Sequence, residues 1–583
     1  MVKNLESVKE NIRNYILQGD YDEAEILLKS HLNDIKEYDD IFAILDASIG
    51  DYCGDNNRVW NAISKGLLYN HKNYELYVML GNYYLNKNPY QAYLCYENAL
   101  FYCDDKEDGQ AIEALLIQLE EDGIVVNKVA FVILSFNLLY YTKLCINSIR
   151  ATVPAFSREI IVVDNASKDG SVEWLREQND VLLIENDKNV GFPIGCNQGI
   201  AKSGSDTDIL LLNNDTVLTD NAVFWLRMGL YEREDNGTAG SVSNNVVNYQ
   251  TIASEITDVE ELLAFGKKNN VPMLYPYEEK LFLIGFALLI KREVIEKIGD
   301  LDERFTPGNS EDIDYGLRVL TAGYRNVLCR NSFIIHFGSK SFGRDKGLYS
   351  NLLAINKQKL NEKWGMDTSY YLYPRLELIN LINEPKEKEM KFLDVGCGCG
   401  ATMARIKSVY PNAITYGIEI VPKVAEIAGY MGEVTCEDVE KLEFAWGEES
   451  FDYVIMGDVL EHLRTPEIVL KRIYKLLKPG GYIIVSMPNV KHYSVMLPLI
   501  VHDKFSYGDA GILDRTHLKM YTGTEISKLI KNSGYQIEEM YRVKMGEPSE
   551  KEEKVLRQLI DLMEVPDRDV YLTYQYLVKA QKR

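Results

Sequence analysis

Three groups of residues in this chain have the types and spacing for chemistry. In LLLNNDTVL, residues 210–218, an apolar run ends in Asn213-Asn214-Asp215. Only the last of these is a carboxylate, an oxygen ligand suited to Mg²⁺ or Mn²⁺, and such an ion neutralises a departing diphosphate as a Lewis acid. In FTPGNSEDIDYGLRVLTAGYR, residues 305–325, Glu311, Asp312 and Asp314 open a helical pattern with Arg318 one turn on. A helix N-terminus favours one or two acids by its dipole. It does not account for the whole string, and a carboxylate there can take a proton from an acceptor hydroxyl. In FLDVGCGCG, residues 392–400, Asp394 ends a strand and Gly396, Gly398 and Gly400 let backbone approach a ligand. A dinucleotide competes for a bare glycine pattern. Glu419, however, ends the next strand, YGIEI, where an acid can bind both ribose hydroxyls of an adenosyl cofactor.

These residues require elements to position them. From 128 to about 366, apolar runs (VAFVILSF, EIIVVDN, VLLIEN, DILLLNND) alternate with helical patterns, an α/β layout with a mainly parallel sheet. The longest apolar run, LFLIGFALLI (281–290), is too short for a bilayer span and reads as a buried strand. A charged stretch, NEPKEKEMK, precedes a second α/β series: KFLDVGC, AITYGIEI, FDYVIMGD and GGYIIVSMPN. QIEEMYRV and VYLTYQYLVKAQ read as a closing antiparallel pair. Residues 1–122 read as wholly helical. QGDYDEAEILL (18–28), YCGDNNRVWNAI (52–63) and LNKNPYQAYLCY (85–96) align at about the tetratricopeptide period. Gly81, Tyr84, Ala92 and Ala99 let paired helices approach.

At 583 residues several domains are expected. A net charge of −23 argues against nucleic acid as a partner. The charged N-terminus is not a secretory signal, and no transmembrane segment is read. Nine scattered cysteines without CxxC pairing point to a reduced, cytoplasmic setting.

The ordered strings of the middle region resemble glycosyltransferase family 2, with its A-type nucleotide-binding fold, and most closely its rhamnosyltransferase-like members. They are Ser135-Phe136-Asn137, then Asp164-Asn165 before ASKDGS, then NVGFPIGCNQGI with Asn189 and Gly191, then Asn213-Asn214-Asp215. The resemblance spans 129–345. It implies that Asp164 pairs with the pyrimidine base and that Ser135, Asn137, Asn165, Asn189, Gly191, Asn213 and Asn214 line the donor site. It further implies Asp215 as the direct metal ligand, with His336, in IIHFGSKSF, as a second. Asp312, with Glu311 beside it, would be the base, and direct displacement implies inversion. Pro193 and Cys196 depart from the common pattern, where relatives show Ala and Asn.

From about 370 to 583 the chain resembles class I S-adenosylmethionine-dependent methyltransferases. FLDVGCGCG matches their first motif, and CEDVEKLEF places Asp438 for the adenine amine. FDYVIMGDVLEHL, which contains Asp458, and LKPGGYIIVSMPNV complete the order. The resemblance makes Asp394, Gly396, Gly398, Gly400, Glu419, Asp438 and Asp458 cofactor-binding residues. His517, with Asp514 in ILDRTHLKMYT, is its candidate base.

The expected fold is therefore multidomain. All-α tetratricopeptide-like repeats (1–125) precede an α/β A-type glycosyltransferase fold (126–366) and an α/β Rossmann-like class I methyltransferase fold (367–583). The expected function is bifunctional. A sugar, rhamnose by the family likeness, moves from a UDP- or dTDP-linked donor to a protein or glycan acceptor such as flagellin or another surface protein, and a sugar is O-methylated. Two alternatives stand beside it. In one, the repeats form an interaction scaffold with only one active catalytic domain, although Asp215, Asp312, Asp394 and Glu419 are all retained. In the other, both activities serve separate substrates and fusion only raises effective concentration.

Overall fold

The computed structural model describes residues 2–34, 38–338, 346–562 and 567–583. It divides into two compact units, Met1–Lys363 and Trp364–Arg583. The architecture matches the expected fold class: an all-helical region, then an α/β sheet, then a second, Rossmann-like α/β sheet.

The first unit opens with α1 (Val2–Gln18), α2 (Tyr21–Asp34), α3 (Asp40–Tyr52), α4 (Asn56–Tyr69), α5 (Tyr74–Leu85), α6 (Pro89–Tyr102) and α7 (Lys106–Glu121). Short polar residues start most of them: the side chains of Asp39, Asp55, Asn73, Asn88 and Asp105 each accept a backbone N–H of the first turn. α5 and α6 touch closely because Gly81 has no side chain. A Cβ there would lie 2.3 Å from the Tyr96 ring.

The α/β sheet that follows comprises β1 (Lys128–Ser135), β2 (Arg158–Asp164), β3 (Val181–Glu185), β4 (Thr207–Asn213), β5 (Thr216–Leu218), β6 (Asn236–Val242), β7 (Tyr277–Lys280), β8 (Ala287–Ile290) and β9 (Arg325–His336). Its order is β3-β2-β1-β4-β8-β6-β9-β5, with β7 also paired to β9. β1 to β4 are parallel, and the register pairs Ser135 with Asp164 and Leu134 with Asn213. The polar residues that end these strands therefore gather at one sheet edge, where open α/β sheets bind ligands. The run 281–290 is not one strand. Only Ala287–Ile290 pairs with β4, and Leu281–Phe286 forms an irregular approach to it. Gly285 and Phe286 form a turn here whose backbone contacts the site described below.

The helix Ala222–Leu230 is buried on every side. Ala222, Val223, Leu226 and Leu230 face the sheet core, while Phe224, Trp225 and Met228 join the apolar core of the helical region. Gln91 Nε2 donates to the Met228 carbonyl at 2.9 Å. Within this dry contact Arg227 and Glu97 form an ion pair, 4% and 9% exposed at their side chains. Arg227 also donates to the Asn127 carbonyl at 3.0 Å. The helical region and the sheet thus share one core.

In the second unit β10 (Met390–Val395), β11 (Ala413–Glu419), β12 (Glu433–Cys436), β13 (Phe451–Gly457), β14 (Leu477–Pro488), β15 (Tyr535–Lys544) and β16 (Thr573–Lys582) take the order β12-β11-β10-β13-β14-β16-β15. The first five are parallel. β16 runs antiparallel to both β14 and β15, the closing pair expected from the sequence. Among the described residues no helix is long and apolar enough to cross a membrane.

Removing one member of a buried ion pair leaves the other charge desolvated, at a cost of about 3–5 kcal/mol. Glu97→Ala should lower stability by that amount in denaturant titration, and Glu97→Ala with Arg227→Met should recover most of it. A loss below about 1 kcal/mol, the range of exposed pairs, would show that water reaches this contact.

Candidate active sites

At the sheet edge of the first unit two loops are stitched together by Ser167. Asp164 is buried; its Oδ1 accepts the Ser167 N–H at 2.8 Å and its Oδ2 accepts the Ser167 hydroxyl at 2.6 Å. The Ser167 Oγ accepts the Asn137 N–H at 2.7 Å, and the Asn137 Oδ1 accepts the Lys168 N–H at 2.9 Å. Asn137 adopts φ 55°, which Asn tolerates better than most residues. Ser135 is fully buried, and its hydroxyl has no partner among the described residues. Asn165 donates to Asn189 Oδ1 at 3.2 Å, which also accepts the Gly191 N–H at 2.9 Å. Gly191 sits at φ 88°, and a Cβ there would lie 2.8 Å from Pro307 Cα, so this loop closes against the segment before Glu311.

Asp215 and His336 meet although they are far apart in sequence. β5 pairs antiparallel with the end of β9, setting Thr216 opposite His336. Asp215 Oδ1 lies 3.3 Å from His336 Nε2. The other ring nitrogen, Nδ1, is 2.7 Å from the Asn245 carbonyl, which can only accept, so Nδ1 carries a proton. With Nδ1 anchored in this way, Nε2 turns toward the Asp215 carboxylate and both present donor atoms to one point. The residues thus fit a divalent ion, with the backbone-anchored tautomer usual for a ligating histidine. Asn213 Nδ2 is 3.3 Å from the same Nε2. Asn214 turns away: it is buried and donates to Thr142 Oγ1 at 3.0 Å.

The three acids of the third motif separate. Asp314 is fully buried and paired with Arg318 at 2.9 Å and Lys363 at 2.6 Å. Asp312 is half-buried and accepts the N–H of Gly285 at 3.2 Å and of Ile313 at 2.8 Å. Glu311 is buried, with Oε2 lacking a partner among the described residues. Burial first, and then the Asp312 charge, push its carboxyl up to about 8. Burial likewise raises Asp312. Gly285 and Phe286 bridge the two halves: Gly285 donates to Asp312, the Phe286 carbonyl accepts the Asn213 N–H at 2.9 Å, and the Phe286 ring stacks on His336 at 5.2 Å. The sequence reading missed Asn245, Gly285 and Phe286, whose roles arise from backbone atoms and ring packing that leave no signature in residue type.

In the second unit the glycine turn carries φ 71°, 55° and 84° at Gly396, Gly398 and Gly400, a region costly for residues with a Cβ. Glu419 reaches back across it, accepting Gly398 N–H at 3.0 Å through Oε2 and the N–H groups of Ile420 and Val421 through Oε1. Asp394 is buried beside it; burial and the Glu419 charge push it up to about 7. Asp438 is half-buried, and Lys441 holds it below the usual carboxylate range. Asp458 sits at φ 55° and accepts from Arg375 at 2.7 Å, from Ser486 Oγ at 2.8 Å and from Gln575. Arg375 and Gln575 were not foreseen, because each reaches Asp458 from a distant part of the chain. His517 Nδ1 is 2.9 Å from the Ile512 carbonyl. Asp514 turns to Thr516 instead of the His517 ring.

Residues 130–299 match the family model for glycosyl transferase family 2. Residues 369–540 match a model described as a methyltransferase domain. The chain thus joins a glycosyltransferase domain to a methyltransferase domain. Similar proteins include the mitochondrial ubiquinone biosynthesis O-methyltransferase of Rattus norvegicus, 29% identical over 161 residues, which are 26% of this chain and 45% of that protein. Another is a demethylmenaquinone methyltransferase of Staphylococcus aureus (strain JH9), 31% identical over 120 residues, 19% of this chain and 50% of that protein. The chain spans about half the length of the curated relatives it matches. Among solved structures, a SAM dependent methyltransferase from Archaeoglobus fulgidus is 18% identical, with a TM-score of 0.28, covering 39% of this chain and 99% of that one.

Glu311 supplies a pH test. Its folded value of about 8 lies above the ordinary 4.5, so between these values the native state holds a proton that the unfolded chain has lost. Its contribution therefore lowers stability as pH rises through that window. Glu311→Gln should remove this slope and leave the variant the more stable at pH 8, read as melting temperature from pH 5 to 9. Parallel curves would mean that Glu311 is ionised in the folded protein.

Proposed function

We propose that the first unit transfers a sugar from a UDP- or dTDP-linked donor to a protein or glycan acceptor with inversion, and that the second O-methylates a sugar, in bacterial surface-glycan or flagellin-type protein glycosylation. The observation that carries the first half is the linkage through Gly285–Phe286. It joins the Asp215–His336 pair to the Asp312 carboxylate, which brings a cation-binding pair and a base to one edge of the sheet.

Asp215 and His336 would hold Mn²⁺ or Mg²⁺, which when bound supplies charge neutralisation for the leaving diphosphate. Asp164 and its loop would hold the pyrimidine base, with Ser135, Asn137, Asn165, Asn189 and Gly191 around the nucleotide. Asp312 would take the acceptor hydroxyl proton at its carboxylate while that oxygen displaces the diphosphate from the opposite face, and a single displacement inverts the sugar carbon. Glu311, kept protonated by burial, leaves Asp312 as the acid of the pair that can accept the proton. Rhamnose is the sugar favoured by the family likeness.

In the second unit Glu419 would hold the ribose hydroxyls, Asp438 the adenine amine, and the glycine turn the remainder of S-adenosylmethionine, which when bound supplies a methyl group on a sulfonium. Asp394 and Asp458 shape that pocket from the ends of β10 and β13. The helical region reads as tetratricopeptide-like repeats that present the acceptor. The division 1–125, 126–366 and 367–583 assigns one task to each region. A cytoplasmic setting suits nine cysteines that are all free.

Nucleoside diphosphate release from UDP-, dTDP- and GDP-sugars, measured with Mn²⁺ or Mg²⁺, tests the first half. Release from one UDP- or dTDP-sugar is expected, falling about 10²–10⁴-fold in Asp312→Asn. Silence across the panel, with acceptor protein added, would sink the transferase reading. Asp312→Asn should also abolish methylation if the glycosylated product is the methyl acceptor. Methylation of unglycosylated acceptor would instead favour separate substrates.

A further inference from the structure

Glu461, His462 and His517 form the one group of three or more metal-capable side chains found among the described residues, with one ligand atom from each within 4.8 Å of the others. The two histidines are 55 positions apart in sequence; backbone hydrogen bonds bring them together. The Glu461 carbonyl accepts the N–H of Leu518 at 2.8 Å and of Lys519 at 3.1 Å, pinning the segment after His517 to the turn before His462. The rings face one another at 4.7 Å and 74°.

Two independent observations show that the group is prepared for a ligand. Each ring has its Nδ1 at a backbone carbonyl, His462 at Thr516 (3.1 Å) and His517 at Ile512 (2.9 Å). A carbonyl only accepts, so each Nδ1 carries the proton and each Nε2 keeps a free lone pair. This backbone anchoring is the arrangement that orients a ligating imidazole. Separately, Glu461 is 0% exposed, and neither carboxylate oxygen has a partner among the described residues. Buried carboxylates are ordinarily paired or metal-bound. Arg375, a cation in its surroundings, is engaged by Asp458 and Glu377. A general-base role for His517 leaves the buried Glu461 unexplained.

The cluster also lies against the methyl-donor turn. Val459 packs on Gly396 so closely that a Cβ on the glycine would meet Val459 Cγ2 at 2.8 Å. The turn bearing Glu461 and His462 follows β13, the parallel neighbour of β10.

We propose that Glu461, His462 and His517 form a divalent metal site that holds the oxygen of the methyl acceptor beside the methyl donor. Two imidazoles and one carboxylate suit a first-row ion such as Mn²⁺, Co²⁺ or Zn²⁺ better than Mg²⁺, and leave coordination positions open. The acceptor chemistry that fits is a hydroxyl, best a vicinal diol that fills two open positions. On the ion the hydroxyl gives its proton to water. Its oxygen then bonds to the methyl carbon as the carbon–sulfur bond breaks, S-adenosylhomocysteine leaves uncharged, and no oxidation occurs. One proton is released for each methyl group moved. The acceptor role rests on the methylation reading above; the metal site does not.

The test uses the full chain carrying Asp215→Ala, so that binding at the other cation pair does not contribute. Co²⁺ is titrated and followed by its visible absorption bands, and S-adenosylmethionine binding is measured in parallel. One Co²⁺ per chain is expected. His462→Ala, His517→Ala and Glu461→Gln should each weaken it by roughly tenfold or more, with S-adenosylmethionine binding unchanged. Glu461→Gln preserves shape and carries no charge to desolvate, so its metal-free melting temperature should equal or exceed that of the parent, while the rise on adding Co²⁺ is lost. Absence of Co²⁺ binding, or binding indifferent to all three substitutions, would overturn the site. Methyl transfer is read in the chain with Asp215 intact, where Co²⁺ binding without methyl transfer to any sugar would overturn the methylation reading and leave the site standing. Methyl transfer unchanged in the three variants would overturn its acceptor role.

Discussion

Burying a carboxylate is unfavourable unless a proton, a cation or a set of N–H donors offsets its charge, and both α/β units are organised around that cost. Two buried acids have the offset built into the protein as an ion pair: Asp314 has Arg318 and Lys363, and Glu97 has Arg227. In the candidate sites it is missing or partial. Glu311 keeps an unpartnered oxygen, Asp215 faces His336 Nε2, and the carboxylate oxygens of Glu461 have no hydrogen-bond partner among the described residues.

The geometry that makes this possible is that of parallel strands. Side chains at the ends of neighbouring strands share one edge, and the loops beyond them are free to differ. In the first unit the loops are locked together by short polar contacts through Ser167, Asn165 and Asn189, and Gly285–Phe286 links Asn213 and His336 to Asp312. In the second, Glu419 closes the glycine turn through backbone N–H groups, a contact that ribose hydroxyls could replace at little cost.

The helix Ala222–Leu230 has a different role. Being apolar around its whole circumference, it needs cover on two sides. The sheet supplies one and α6 the other. The helical region therefore packs as one piece with the sheet that follows it, and α6 cannot be removed without exposing Trp225 and Met228 and taking away the Glu97 partner of Arg227.

Much of the fold was legible in residue order. Strand positions followed from apolar runs, the closing antiparallel pair from its aromatic and β-branched pattern, and both active-site edges from acids and glycines at strand ends. These are local properties, set by backbone propensity and by burial within a few residues. Local reading failed where a contact spans the chain. It took 281–290 as one strand, although the bend at Gly285 exists to meet Asp312. It paired His517 with the adjacent Asp514, whereas the fold turns Asp514 to Thr516 and brings His517 to His462 and Glu461. It singled out Asp312 and Glu311 in the acidic string but did not foresee that Asp314 meets Arg318 and Lys363, which only packing decides. The sequence by itself determined which elements form and which residues end them. The tertiary structure decided which polar groups find partners, because hydrogen bonds and desolvation depend on distances between segments that no local pattern encodes.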